Sequence, residues 1–177
     1  MNLTNSALII IDLQAGIRKI AGKAQPYSFE EVAENNKILM EIFSAADAPI
    51  YLVSVQPKQF PKPARAAFGK LYLEDEGKKY AQTRILVKTG PSAFTQSDYG
   101  LETELKSLGV EKIFITGIST SNGVIKTARD GKAVGFEVFL VEDGCADRTL
   151  EGHNQTIQED ILEIGKVVTL KDFADDE

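Results

Sequence analysis

Three apolar runs in this sequence each meet residues able to do chemistry. Asp12 interrupts ALIIIDL (7 to 13), Lys88 closes RILVK (84 to 88), and the small polar stretch GISTSNGV (117 to 124) overlaps the end of KIFITGI (112 to 118). An ion set alone in apolar surroundings is costly, so Asp12 and Lys88 are expected to meet as a hydrogen-bonded pair. Such a pair serves either as a structural ion pair or as an acid beside a fixed positive charge. GISTSNGV reads as a strand turning into a helix near Thr120 or Ser121, with backbone N–H groups at the helix start and Gly123 open to close approach by a ligand. Those donors could hold an oxyanion, and Ser119 or Thr120 would equally serve as an ordinary helix cap.

Other reactive side chains point to less. Ser121 as a nucleophile lacks a glycine-flanked serine motif, and its base would have to be His153, brought in from another loop. His153 is the one histidine in the chain, which excludes a histidine-rich zinc site; a surface or capping place near the start of a helix is expected for it. Cys145 is the one cysteine and cannot form an internal disulfide; a lone buried thiol behaves as a small hydrophobe. Glu142, Asp143, Asp147 and Glu151 could gather a divalent ion, but a solvated acidic loop is the plainer reading. No metal and no cofactor is called for.

The elements that must position these residues follow from the apolar pattern. Continuous runs at 7–13, 49–55, 84–88, 112–118, 137–144 and 167–170 read as strands buried on both faces. Between the first two, Ser28 and Glu31 have capping-box spacing, and Val32, Ile38, Leu39, Ile42 and Phe43 are expected along one helical side. Helical patterns fill the later gaps, each ending near a glycine. Strand alternating with helix implies a mainly parallel doubly wound α/β sheet with helices on both faces. Ligands bind outside the carboxyl ends of such strands, which selects Asp12, Gln56, Lys88, residues 117–123 and residues 143–147. Residues 56–83 interrupt the alternation with several prolines and many charges. An irregular excursion is expected there, with one short helix around Ala64 to Leu73, closing over the site or packing on a second subunit.

With 177 residues, 43% hydrophobic and 26% charged, the chain fits one domain spanning 1–177. A net charge of −6 and a pI near 5.0 argue against a nucleic-acid partner. The amino-terminal run meets Asp12 too early for a membrane span, and no basic region precedes it; a cytoplasmic protein is expected.

Asp12 in IIIDLQ, Lys88 with PSAF at 91–94, and GISTSNGVIKTARD at 117–130 together resemble the isochorismatase-like hydrolase superfamily, which also holds nicotinamidases and carbamoylsarcosine amidases. The resemblance runs in order over nearly the whole chain. It implies a six-stranded sheet of order 3-2-1-4-5-6, a small-molecule substrate, and a homo-oligomer, dimer or tetramer. In the amidase branches the site is an Asp, a Lys and a Cys, with an oxyanion hole beside a cis peptide. Here Asp12 matches the acid, Lys88 the lysine, Gly123 the cysteine position, and Ile118–Ser119 the cis bond. The metal pattern of nicotinamidases is missing, since residues 50–75 contain no histidine.

True isochorismatases also carry glycine where the amidases carry cysteine, and they cleave a vinyl ether by protonating carbon and adding water, with no covalent intermediate. Gln56-Pro57 is similar to their Gln-Pro pair, and Arg65, nine residues after Gln56, falls at the spacing of their substrate-binding arginine. Their tyrosine two residues after the strand-four glycine is Ser119 here. The resemblance thus implies water as nucleophile, Asp12 as general acid, and Gln56, Arg65, Ser119 and Phe94 around the substrate, with Lys88 and Arg65 holding a carboxylate or enolpyruvyl group. The rival expectation is a non-catalytic binding or scaffold protein left when an amidase lost its cysteine.

Overall fold

The computed structural model describes residues 1–97 and 99–174. Its strands are β1 (Ser6–Ile11), β2 (Ile50–Val55), β3 (Thr83–Lys88), β4 (Lys112–Ile118), β5 (Glu137–Ala146) and β6 (Lys166–Val168). They form one parallel sheet in the order β3-β2-β1-β4-β5-β6. The six apolar runs thus become the six strands, and β1 and β4 flank the place where the strand order reverses, which in such sheets opens a crevice.

Alternate residues of β1 feed two cores. Leu8 and Ile10 pack on one face with α2 (Phe29–Ala45), and Ala7, Ile9 and Ile11 on the other with α5 (Leu101–Ser107) and α6 (Ile125–Ala133). The capping box at Ser28 and Glu31 starts α2, worth about 0.5–2 kcal/mol. Its buried stripe is Phe29, Val32, Ala33, Asn36, Leu39, Met40 and Phe43. Ile38 was expected on that stripe but is exposed, because six residues past Val32 it has turned away from the sheet.

At the crevice the backbones of β1 and β4 nearly touch. Gly117 has φ +116°, and a Cβ there would fall 1.9 Å from the Ile11 carbonyl oxygen, so the crossing admits only glycine.

The 56–83 excursion differs from its expected form. It carries two short helices, α3 (Lys62–Phe68) and α4 (Glu74–Gly77), rather than one at 64–73. Pro63 sits in the first turn of α3, where a missing N–H costs nothing. The excursion is tied to its own chain: Tyr72 N–H donates to Leu13 O, Ala15 N–H to Lys70 O, and Leu71 and Leu73 enter the α2 core. Its apolar load therefore finds much of its burial without a second subunit.

Candidate active site

Asp12 is the residue at which β1 stops behaving as a strand. Its φ of 56° is left-handed, a conformation Asp tolerates better than most residues. The alternation breaks there, so Leu13 rejoins the α2 core while the Asp12 carboxylate meets Lys88. Lys88 lies in step with Leu86 on the opposite core face and is fully buried. Its Nζ donates to Asp12 Oδ2 at 2.8 Å, to Pro91 O at 2.8 Å and to Gly90 O at 3.0 Å. All three ammonium protons are therefore engaged inside the protein. This corrects the expectation that Lys88 grips a substrate carboxylate: it fixes and orients Asp12, and has no proton left to offer.

The second Asp12 oxygen, Oδ1, is buried with no hydrogen-bond partner. Asp12 is 4% exposed, and burial pushes its carboxyl up to about 6, against the opposing pull of Lys88. Desolvation thus wins over the neighbouring cation. Because Lys88 donates to Oδ2, a proton held by the acid resides on Oδ1.

Gly123 completes the group. A Cβ placed on it would lie 3.4 Å from Asp12 Oδ2 and 3.5 Å from Pro91 O, so the turn after β4 closes directly over the pair. That turn is not a simple helix start. The Ile118–Ser119 bond is cis, residues Thr120–Val124 form a π-helical turn, and α6 follows at Ile125. Ser119 is half-buried at its entry, and its carbonyl accepts from the N–H groups of Asn122 and Val124.

The remaining expected residues are placed differently. Gln56 stays at the same sheet edge: its N–H donates to Lys88 O at 2.8 Å, and its side chain lies against Gly69 at the end of α3. Arg65, half-exposed on α3, is one turn before Gly69. Phe94 is not brought to the acid. Its ring packs on Phe136 at 5.8 Å and touches the Cβ position of Gly131, roughly 12 Å of helix beyond Gly123. Phe94 therefore serves the core, which corrects the expectation that it lies around the substrate.

A residue not singled out from the sequence helps build the edge. Gln14 is buried, and its amide donates to Val55 O and Phe68 O while accepting from Val55 N–H, joining the ends of β1, β2 and α3. The signal for it was a glutamine two residues past a strand-end acid. Asp147, after β5, accepts from Ser121 N–H at 2.6 Å and from Arg148 N–H at 2.6 Å. His153, on α7 (Leu150–Gln158), is buried rather than at the surface, its Nδ1 3.0 Å from Thr120 Oγ1. Cys145 is buried, and desolvation pushes its thiol far up, so it is no nucleophile. The acidic residues of the β5 end diverge, Asp143 bonding Leu170 N–H and Asp147 the β4 turn, and no group of three or more potential metal ligands forms among the described residues.

Two clefts border this edge. One of about 360 Å³ between α1 (Ala15–Ala21) and α3 is lined by Ala15, Gly16, Phe60, Ala64 and Phe68. A larger one, about 950 Å³, runs past Arg18, Lys70 and Tyr72. Neither is lined by Asp12, Lys88 or Gly123. The buried pair lies outside both clefts, and size alone assigns no role to either. No helix is long and apolar enough to cross a membrane among the described residues.

A buried acid and lysine thus lie under the strand-four turn, at the switch point of a 3-2-1-4-5-6 sheet. The chain belongs to the isochorismatase family: residues 6–172 match the isochorismatase domain. It is 30% identical to the uncharacterized isochorismatase family protein YecD of Escherichia coli O157:H7, over 98% of this chain and 96% of that one. It is 27% identical to enterobactin synthase component B of Escherichia coli K12, over 95% of this chain and 62% of that one. Among solved structures, an isochorismatase family protein from Burkholderia thailandensis superposes with a TM-score of 0.82 at 24% identity, covering 97% of this chain and 94% of the other. The nicotinamidase of Bacillus subtilis superposes at 0.77 with 21% identity, covering 93% and 99%; at these identities the likeness is one of fold.

Proposed function

We propose that the protein hydrolyses a vinyl ether, or a related bond, in a small anionic molecule, with Asp12 as general acid and water as nucleophile. The observation that carries this reading is the state of Asp12: a buried carboxyl near pKa 6 whose free oxygen has no partner and whose other oxygen is held by Lys88. In the first step the proton on Oδ1 passes to the terminal alkene carbon, leaving an oxygen-stabilised cation. Water adds to that cation and returns a proton to Asp12. The resulting hemiketal then collapses to a ketone and an alcohol. Arg65 and Gln56 hold and orient the anionic end, and the N–H groups of Ser119 and Gly123 line the oxygen-binding side. Lys88 keeps the acid in place throughout. Gly123 supplies no thiol, so an acyl-enzyme route has no nucleophile there.

The exposed Ile85 and Val87 of β3 support assembly as a dimer or tetramer. The acidic balance of the chain supports small-molecule rather than nucleic-acid partners.

The test is a panel of isochorismate, other enolpyruvyl ethers and small amides. Turnover of an enolpyruvyl ether is expected, with kcat/KM constant at low pH and falling as pH rises through about 6, because the acid works only while protonated. A panel in which only amides react, or in which the rate rises through that pH, overturns the reading.

A further inference from the structure

The β4 turn is gripped by two side chains, one from the β5–α7 connection and one from α7, that the proposed reaction does not use. Asp147 accepts the Ser121 N–H, and His153 Nδ1 lies 3.0 Å from Thr120 Oγ1. Thr120 is 0% exposed and His153 1%, so this contact is not exchanged with solvent. The helix bearing His153 comes unusually close to the turn: a Cβ on Gly152 would lie 3.3 Å from Ser121 Oγ. Thr120 sits between Ser119 and Gly123, the two residues whose N–H groups the proposed reaction uses. Among the described residues, no other hydrogen bond to the Thr120 hydroxyl competes with the imidazole.

We infer that His153 is a positioning residue: through Thr120 it sets the π-helical turn so that Ser119 and Gly123 face Asp12. This inference rests on the reading of the site as hydrolytic only in its kinetic consequences; the hold on the turn is a property of the folded chain. The hydrogen bond needs one of two arrangements. Thr120 O–H donates to a bare Nδ1, leaving the proton on Nε2, or Nδ1–H donates to Thr120. The surroundings favour the first. Nε2 is buried without a hydrogen-bond partner, and the nearest carboxylate, Glu142 Oε1, stands 4.0 Å away, where it attracts an N–H and repels a lone pair. Tyr27 meets the ring edge-on at 6.5 Å, and Asp147 adds a second negative charge nearby. Thr120 thus donates into a fixed acceptor, which sets the rotamer of a side chain on the first residue of the turn.

The geometry of side chains gives a direct test. The amide of asparagine reaches about where Nδ1 stands, whereas that of glutamine reaches toward Nε2. His153→Asn therefore keeps a partner for Thr120 and His153→Gln removes it; Thr120→Val removes the hydroxyl at constant shape, and Thr120→Ser keeps it. In a spectrum of the ¹⁵N-labelled full chain, the Gly123 amide resonance is expected to move in His153→Gln and Thr120→Val and to return toward its original position in His153→Asn and Thr120→Ser. On a substrate found in the panel above, kcat should fall about ten- to a hundredfold in the first two variants with KM little changed, and the double variant His153→Gln/Thr120→Val should be no worse than either alone. Thermal melts confirm that each variant compared is folded. The inference is overturned if the Gly123 resonance stays put in both disabling variants, if the conservative variants fail to restore it, or if the losses in the double variant add. If no panel compound reacts, the proposed reaction fails while the amide resonances still decide the inference.

Discussion

Two sets of polar side chains are buried against this sheet, and they are finished in opposite ways. On the α2 face, Asn36 donates to Val32 O at 2.8 Å and Gly144 O at 3.0 Å, and accepts from Thr116 Oγ1 at 2.6 Å. Every polar atom of that side chain has a partner, and none of them carries charge. At the carboxyl edge, Asp12 and Lys88 are a charged pair in which one carboxylate oxygen is left alone. A satisfied neutral network ties α2 to β4 and β5 and has no further capacity. The Asp12 carboxylate keeps one oxygen outside the hydrogen bonds made by the protein's side chains, an arrangement that costs stability. On the proposed reaction, the difference separates what the fold uses to hold together from what it would use to react.

Breaking the unfinished group should have the largest effect. Asp12→Asn keeps the shape and a hydrogen-bond acceptor for Lys88 but has no acid proton, so kcat/KM should fall by about 10² to 10⁴. The melting temperature, measured beside it, should fall, because Lys88 is left as a buried cation without a counter-charge; rates are therefore compared on protein shown to be folded. Full activity in a folded Asp12→Asn protein would remove Asp12 from the mechanism.

The finished group should respond in the other direction. Asn36→Ala leaves Thr116 Oγ1 and two carbonyls unpaired inside the protein, and should lower stability by about 1–3 kcal/mol. Urea unfolding reads this, and kcat measured on the folded protein should stay where it was. Unchanged stability with lost activity would erase the contrast drawn between the two groups.

How much of this was legible beforehand differs along the same line. The strand order came from the resemblance and the strands from continuous β-branched runs, and both hold because burial on two faces leaves little choice of residue. Asp12 and Lys88 could be paired from sequence, since each is the one charge at the end of an apolar run. That Lys88 is saturated could not be read, because its other acceptors are the carbonyls of Gly90 and Pro91, which every sequence possesses. His153 was misplaced for a related reason. Its burial depends on α7 docking on a turn 33 residues earlier, a contact with no local pattern. Phe94 stood in a recognisable motif, yet its ring follows the space beside Gly131. The excursion was read with one short helix around 64–73, where two form at Lys62–Phe68 and Glu74–Gly77, the first with Pro63 in its opening turn.

The smallest expected effect is also the one that tells two histories apart. If the site was built for water addition, the edge has settled around a glycine at 123, and a side chain there must push something aside. The geometry fits this: a Cβ would meet Ile11 Cγ2 at 3.0 Å, so that methyl has to give by a few tenths of an ångström. Gly123→Cys should then lower hydrolase activity about tenfold, through misplacement of the turn rather than loss of the acid, with the fall in rate near pH 6 preserved. If instead the protein is an amidase that lost its nucleophile and survives as a binding protein, the same substitution returns a thiol beside Asp12 and Lys88, where a neighbouring cation favours the thiolate. Amide hydrolysis should then appear where there was none. Assays of wild type and Gly123→Cys on one enolpyruvyl ether and one small amide give opposite signs for the two histories. Gain of amidase turnover, with no ether hydrolysis in either protein, would make Asp12 a relic of acyl-transfer chemistry and leave its unpartnered oxygen without a catalytic reason.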